Sequence, residues 1–167
     1  MRKAIAVIGA LAWFIVLPAA AAADDLVKSF EKFLSASVES TNASTSVFLN
    51  NRSNGWMKRR YRVSDLKYDV KRTDSLVAPI VGIVTFKLTS EVTGSFQSQT
   101  EAESSNFFDS DKSSHDGMSL SFAYRNDKWE LTEVSYRPLD TGRPTNATFE
   151  ISRAHWDRIP YKNWIPK

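Results

Sequence analysis

The hydrophobic residues of this chain change their period once, and that change restricts the fold more than any other feature of the sequence. Between Asp24 and about Ser40, Leu26, Val27, Phe30, Phe33, Leu34 and Val38 recur every three or four residues, which gathers one apolar stripe on a helix. From Trp56 the interval is two. Met57, Arg59, Tyr61 and Val63 alternate with Lys58, Arg60 and Arg62, and after a slip near Ser64 and Asp65 the alternation resumes at Leu66, Tyr68 and Val70. A one-residue slip of this kind is what a β-bulge produces. An apolar helix stripe must be buried against another element, and the elements that follow are strands.

The rest of the chain extends the sheet. Thr41 to Gly55 reads as a polar connector whose Val47, Phe48 and Leu49 suggest one more helical turn. After a turn at Arg72-Thr73-Asp74-Ser75, Leu76 to Thr93 is the most β-prone stretch; Pro79 and Gly82 interrupt it, which suggests an edge entry and a second bulge or bend. Ser95 to Gly117, rich in serine and acids, reads as a long loop or a poorly paired strand extension. A hairpin follows, with Leu120, Phe122 and Tyr124 on one strand, Asn126-Asp127 as the turn, and Trp129, Leu131, Val134 and Tyr136 returning. Pro138 to Lys167 holds turn residues, a short strand at Thr148 to Ile151 and a final turn at Ala154 to Ile159. The expected class is α+β: an N-terminal helix packed on a curved antiparallel sheet of four to five strands, in one domain over 24–167.

The ends and totals bear on location. Arg2 and Lys3 precede an uncharged run from Ala4 to Leu17, closed by Pro18 and the alanines Ala19 to Ala23. That is the pattern of a cleavable secretory signal over residues 1–23, with Asp24 the expected first mature residue. The run is shorter than the ~20 apolar residues a spanning helix needs. The expected location is therefore the bacterial periplasm or the secreted space. Without Arg2 and Lys3, the 22 basic side chains fall to 20 against 19 acidic ones, which gives no support to nucleic-acid binding. There is no cysteine, which excludes disulfides, thiolate metal sites and a cysteine nucleophile. Packing alone must hold the domain, and aromatic residues make up 12% of the chain to do it.

The order of elements carries a resemblance. A helix first, then Tyr61 to Val70, the strand pair around Ser75-Leu76-Val77-Ala78-Pro79 and the closing hairpin Phe122 to Tyr136 resemble the cystatin-like and NTF2-like rolls. The resemblance implies a conical cavity between helix and sheet, used in such folds for catalysis, ligand binding or dimer contacts. Fold alone does not choose among these.

Four sets of residues could carry chemistry. Asp109, Asp111 and the nearby His115 start like a loop for a hard cation or a transition metal, but Ser114 and Leu120 occupy the positions of the turn glycine and the bidentate glutamate. The competing reading is a solvated acidic loop, and no metal or other cofactor is assigned. His155, in Arg153-Ala154-His155-Trp156-Asp157-Arg158, is the candidate acid/base, with Asp69 as an alternative base; helical spacing of Arg153, Asp157 and Arg158 instead favours an ion pair. Lys58, Arg60 and Arg62 share one strand face that could meet an anionic partner, or could simply be solvated. Trp156 and Trp164 are candidate interface aromatics, or else a clasp that closes the roll.

No catalytic set is complete. The expected function is a non-enzymatic, exported binding module for a protein or cell-envelope partner, with a homodimer as one possible assembly. The alternative is a small cavity-based hydrolase or isomerase.

Overall fold

The computed structural model describes residues 19–76, 78, 80–107, 113–140, 147–158 and 160–166. Helix α1 (Ala19–Ala43) is followed by strands β1 (Thr45–Asn50), β2 (Gly55–Arg72) and β3 (Ile80–Val92). A short helix α2 (Gln99–Ser104) leads to β4 (Ser114–Arg125), β5 (Lys128–Pro138) and β6 (Phe149–Glu150), and two 3-10 turns, Arg153–His155 and Tyr161–Trp164, close the chain. The strands form one antiparallel meander in the order β1-β2-β3-β4-β5-β6, curled around α1.

The class is α+β as expected, but the sheet has six strands and not four to five. The difference lies at its edges. Val47, Phe48 and Leu49 form an edge strand instead of a helical turn, held by the continuous register from Thr45↔Arg60 to Asn50↔Gly55. At the other edge, β6 adds only the pairs Ser135↔Glu150 and Tyr136↔Phe149. The β1 edge carries no alternating pattern long enough to stand out in the sequence, whereas β6 lies within the short strand expected at Thr148 to Ile151.

The interior signals are where the alternation placed them. The slip in β2 is a bulge between Ser64 and Lys67, with Asp65 at φ 54°. Asn42, on the last turn of α1, accepts a hydrogen bond at its Oδ1 from the Val63 N–H beside it. Asn126 and Asp127 both adopt positive φ, the geometry a two-residue hairpin turn demands. Gly82, in contrast, marks no bulge. Its register runs unbroken to Val70 and Phe122, and a Cβ there would lie 2.6 Å from Phe30 Cζ. The missing side chain is the seat of the Phe30 ring.

That seat anchors α1. Phe30 is fully buried and meets Trp129 at 4.4 Å and Phe122 at 5.5 Å between ring centroids, the offset geometries aromatic rings favour. Leu34 is buried beside it, while Lys28, Glu31, Lys32 and Glu39 face water. The Trp129 indole N–H donates to Ser29 Oγ at 3.2 Å. A second aromatic contact closes the roll from the C-terminus. Trp164 lies 4.5 Å from Phe86 with ring planes 13° apart, and Asn163 Nδ2 donates to Ser44 Oγ just past α1.

Ser95 to Gly117 holds more structure than a loop. Ser98 and Glu101 form a reciprocal capping box that starts α2, and Ser114 to Gly117 already belong to β4.

Candidate functional site

The concave face of the sheet changes character along its length. In β3 the inward residues Gly82, Val84, Phe86 and Leu88 are buried and the next in phase is Ser90. In β4, read backwards, Phe122, Leu120 and Met118 give way to Asp116 and Ser114. Pairing brings the two changes together, because Ser90 lies opposite Ser114 and Tyr61, and Leu88 opposite Asp116. Arg59 continues the inward face of β2 past Tyr61. The apolar end is filled by α1, and the polar end stays open.

The open end is a cleft of about 470 Å³ between the sheet and the C-terminal segment. Arg59, Tyr61, Ser90, Ser114, Asp116 and Tyr136 line it from the strands; Ile151, His155, Arg158, Pro160 and Tyr161 line it from the C-terminal side. The C-terminal wall is fixed by the Trp164 stack and by the Ile151 N–H donating to Val134 O at 2.8 Å.

Its charged groups form no ion pairs with one another. The Arg59 guanidinium lies 4.6 Å over the Phe48 ring, and its Nε is buried without a hydrogen-bond partner. Among the described residues, no ion pair joins Arg59 or Arg158 to a carboxylate. Asp116 is half-buried. Loss of water raises its pKa above the usual 3.8, the Asp140 carboxylate adds to the rise, and His115 partly opposes it. Burial pushes the Tyr161 phenol up to about 12, helped by Tyr61, Asp116 and Tyr136 and opposed by Arg59. Tyr161 therefore stays a neutral donor throughout the physiological range.

The residues singled out in the sequence scatter around this cleft. His155 lines it, exposed at its rim. Asp69 does not: it is exposed on the opposite face of β2, because its neighbour Tyr68 points to α1 and hydrogen-bonds Glu31. Lys58 and Arg60 also lie on that outer face and are engaged there. Lys58 Nζ donates to the carbonyls of Glu103 and Ser105, Arg60 pairs with Glu91, and both cations sit over the Phe107 ring, at 5.0 and 4.2 Å. The two fasten the α2 arm to the sheet, and Arg62 beside them is exposed. Trp156 is half-buried with its indole N–H donating to Ile151 O at 3.0 Å, whereas Trp164 is 1% exposed and offers no surface to a partner. The segment around His155 is a three-residue 3-10 turn, so the expected ion pair does not form; Arg153 instead lies 5.4 Å over Trp156.

Asp109 and Asp111 fall outside the described residues. His115 is on the outer face, its Nδ1 2.9 Å from Thr89 Oγ1 and its Nε2 3.3 Å from Ser113 Oγ. No group of three potential metal ligands occurs among the described residues, and no helix among them is long and apolar enough to cross a membrane.

No family model, curated protein or solved structure matches the chain. The functional reading rests on the cleft.

No local motif marks Asp116, Ser90, Ser114 and Tyr136 as one site in the sequence. Their signal was there: each is in phase with a core stripe, at or just beyond the point where the stripe stops being apolar. A polar residue in a buried phase must find a partner or face a cavity.

Proposed function

We propose that this protein is an exported binding module with a cystatin-like or NTF2-like roll, and that its partner, a protein or cell-envelope component, engages the cleft at the open end. One observation carries the reading. Arg59, Asp116, Arg158 and His155 line a single concavity without pairing among themselves. Arg59 and Asp116 are half-buried, while His155 and Arg158 stand exposed at the rim; half-buried polar groups left uncompensated cost stability, and a ligand that satisfies them recovers that cost.

The test is affinity capture of the tagged protein from its own compartment with crosslinks mapped by mass spectrometry. Crosslinks concentrated at Ser114–Asp116 and the segment from Ile151 to Tyr161, and lost in an Arg59→Gln, Arg158→Gln double variant, support the proposal. Crosslinks confined to the outer face, or recovery of the protein alone, overturn it.

A second reading has its own support. His155 and Asp116 share the cleft, the arrangement a small hydrolase or isomerase would use. Turnover that disappears with His155→Ala would replace the binding module with the enzyme. His155 makes no side-chain hydrogen bond to a described residue, so no nucleophile is yet paired with it, and this places the binding module first.

A further inference from the structure

The chemistry of the cleft also restricts its ligand, provided the cleft is the seat proposed above. Its charged side chains are two arginines and one aspartate, a balance of one positive charge when His155 is neutral. The cation on the strand side, Arg59, has a buried Nε with nothing to donate to, and a guanidinium presents its donors in a planar fork that matches a carboxylate. Around it stand hydroxyls. Tyr136 and Tyr161 bring phenols on rigid rings, and Ser90 and Ser114 sit opposite one another on adjacent strands. The rings offer flat faces against which C–H groups of a saturated ring pack, and the hydroxyls both donate and accept. At about 470 Å³ the space lies in the ~300–1,000 Å³ range of small-molecule sites.

We infer that the cleft takes a uronic-acid type of ligand, a single carboxylate on a polyhydroxylated ring, with the carboxylate on Arg59 and the ring hydroxyls among the tyrosines and serines. One negative charge completes the balance. A phosphate monoester brings about −1.5 to −2 and would set the excess against Asp116. A neutral sugar brings no charge to the Arg59 guanidinium and would leave its Nε without an acceptor. Asp116 fits the same picture as an acceptor for a ring hydroxyl at the wall of the cleft.

The experiment is a titration of the purified protein with D-glucuronate, D-glucose and glucose 6-phosphate, followed by nitrogen-15 NMR. The Arg59 Nε–H signal and the backbone amides of Ser90, Ser114 and Asp116 report on the cleft. Glucuronate is expected to shift these signals and to bind about ten- to a hundredfold more tightly than glucose, the worth of a hydrogen bond to a charged group. Arg59→Gln should abolish that advantage while leaving the amide spectrum of the apolar end around Phe30 and Phe122 unchanged. Four results overturn the inference. Equal affinity for glucose, or glucuronate affinity unchanged in Arg59→Gln, shows a ligand seat that does not select a carboxylate. Tighter binding of the phosphate shows an anion site of the wrong class. No shift with any of the three removes the saccharide acid altogether, and crosslinks from the capture experiment then decide separately whether the cleft is a seat at all.

Discussion

The two ends of the concave face are built by the same four strands, β2 to β5, and solve opposite problems. At one end Phe30 drops into the space left by Gly82, touches Phe122 and Trp129, and leaves no room for a ligand. At the other, the same strands present Tyr61, Ser90, Ser114 and Asp116, and the C-terminal segment stands off far enough to leave a cleft. The sheet is continuous between them, so the boundary is not a domain boundary. It is a change in what the inward phase contains. The lesson is that one end carries stability and the other is free to carry function, and this can be broken by substitution.

The largest effect should come from the filled end. Phe30→Ala removes a fully buried ring from a site walled by strands and aromatic neighbours that cannot collapse easily. We expect a loss of about 3–5 kcal/mol in urea unfolding followed by tryptophan fluorescence. A loss under about 1 kcal/mol would show that this end is not the stabilising one.

The next tests the same contact from the sheet side. Gly82→Ala puts a Cβ 2.6 Å from Phe30 Cζ, and the ring has nowhere to go between Phe122 and Trp129. The expected cost is about 1–3 kcal/mol, the range for overpacking, although alanine would ordinarily stabilise a strand relative to glycine. A stabilised variant would mean that the ring can tilt away, and that Gly82 is not its seat.

How much of this is legible in the sequence also differs between the ends. The filled end was readable because period and hydrophobicity agree there: Phe30, Leu34, Leu120, Phe122, Trp129 and Leu131 are all apolar and all in phase, and all are buried. The edge strand β1 was not, since it owes its conformation to pairing with β2 more than to its own residues. At the open end the composition drew attention to another face. Lys58, Arg60 and Arg62 form the denser charge cluster, yet two of them are spent fastening the α2 arm. Arg59, between them in sequence and opposite in phase, faces the cleft. His155 was legible only as one of two histidines, and nothing local told that its companions would be Asp116 and Tyr136 from another part of the chain. That information lies in the β3–β4–β5 register, which a single strand does not display.

The smallest effect sharpens the comparison most, because it asks whether the open end sacrifices stability. Asp116 is half-buried, with water loss and Asp140 both disfavouring its charge. Its pKa in the folded chain lies above the unfolded value near 3.8, so between the two values the folded state holds more protons and stability falls as pH rises. The contribution of this group is fully present below the unfolded pKa and is lost once pH passes the folded one. Asp116→Asn mimics the protonated form at every pH. The variant should therefore melt higher than the parent at pH 7, and the difference should close at pH 3, where Asp116 is protonated in both states. Melting curves at the two pH values decide it. A variant that is less stable at pH 7 would show that the ionised carboxylate is compensated within the protein, and the cleft would then lose one of the unpaired groups that mark it as a place for a ligand.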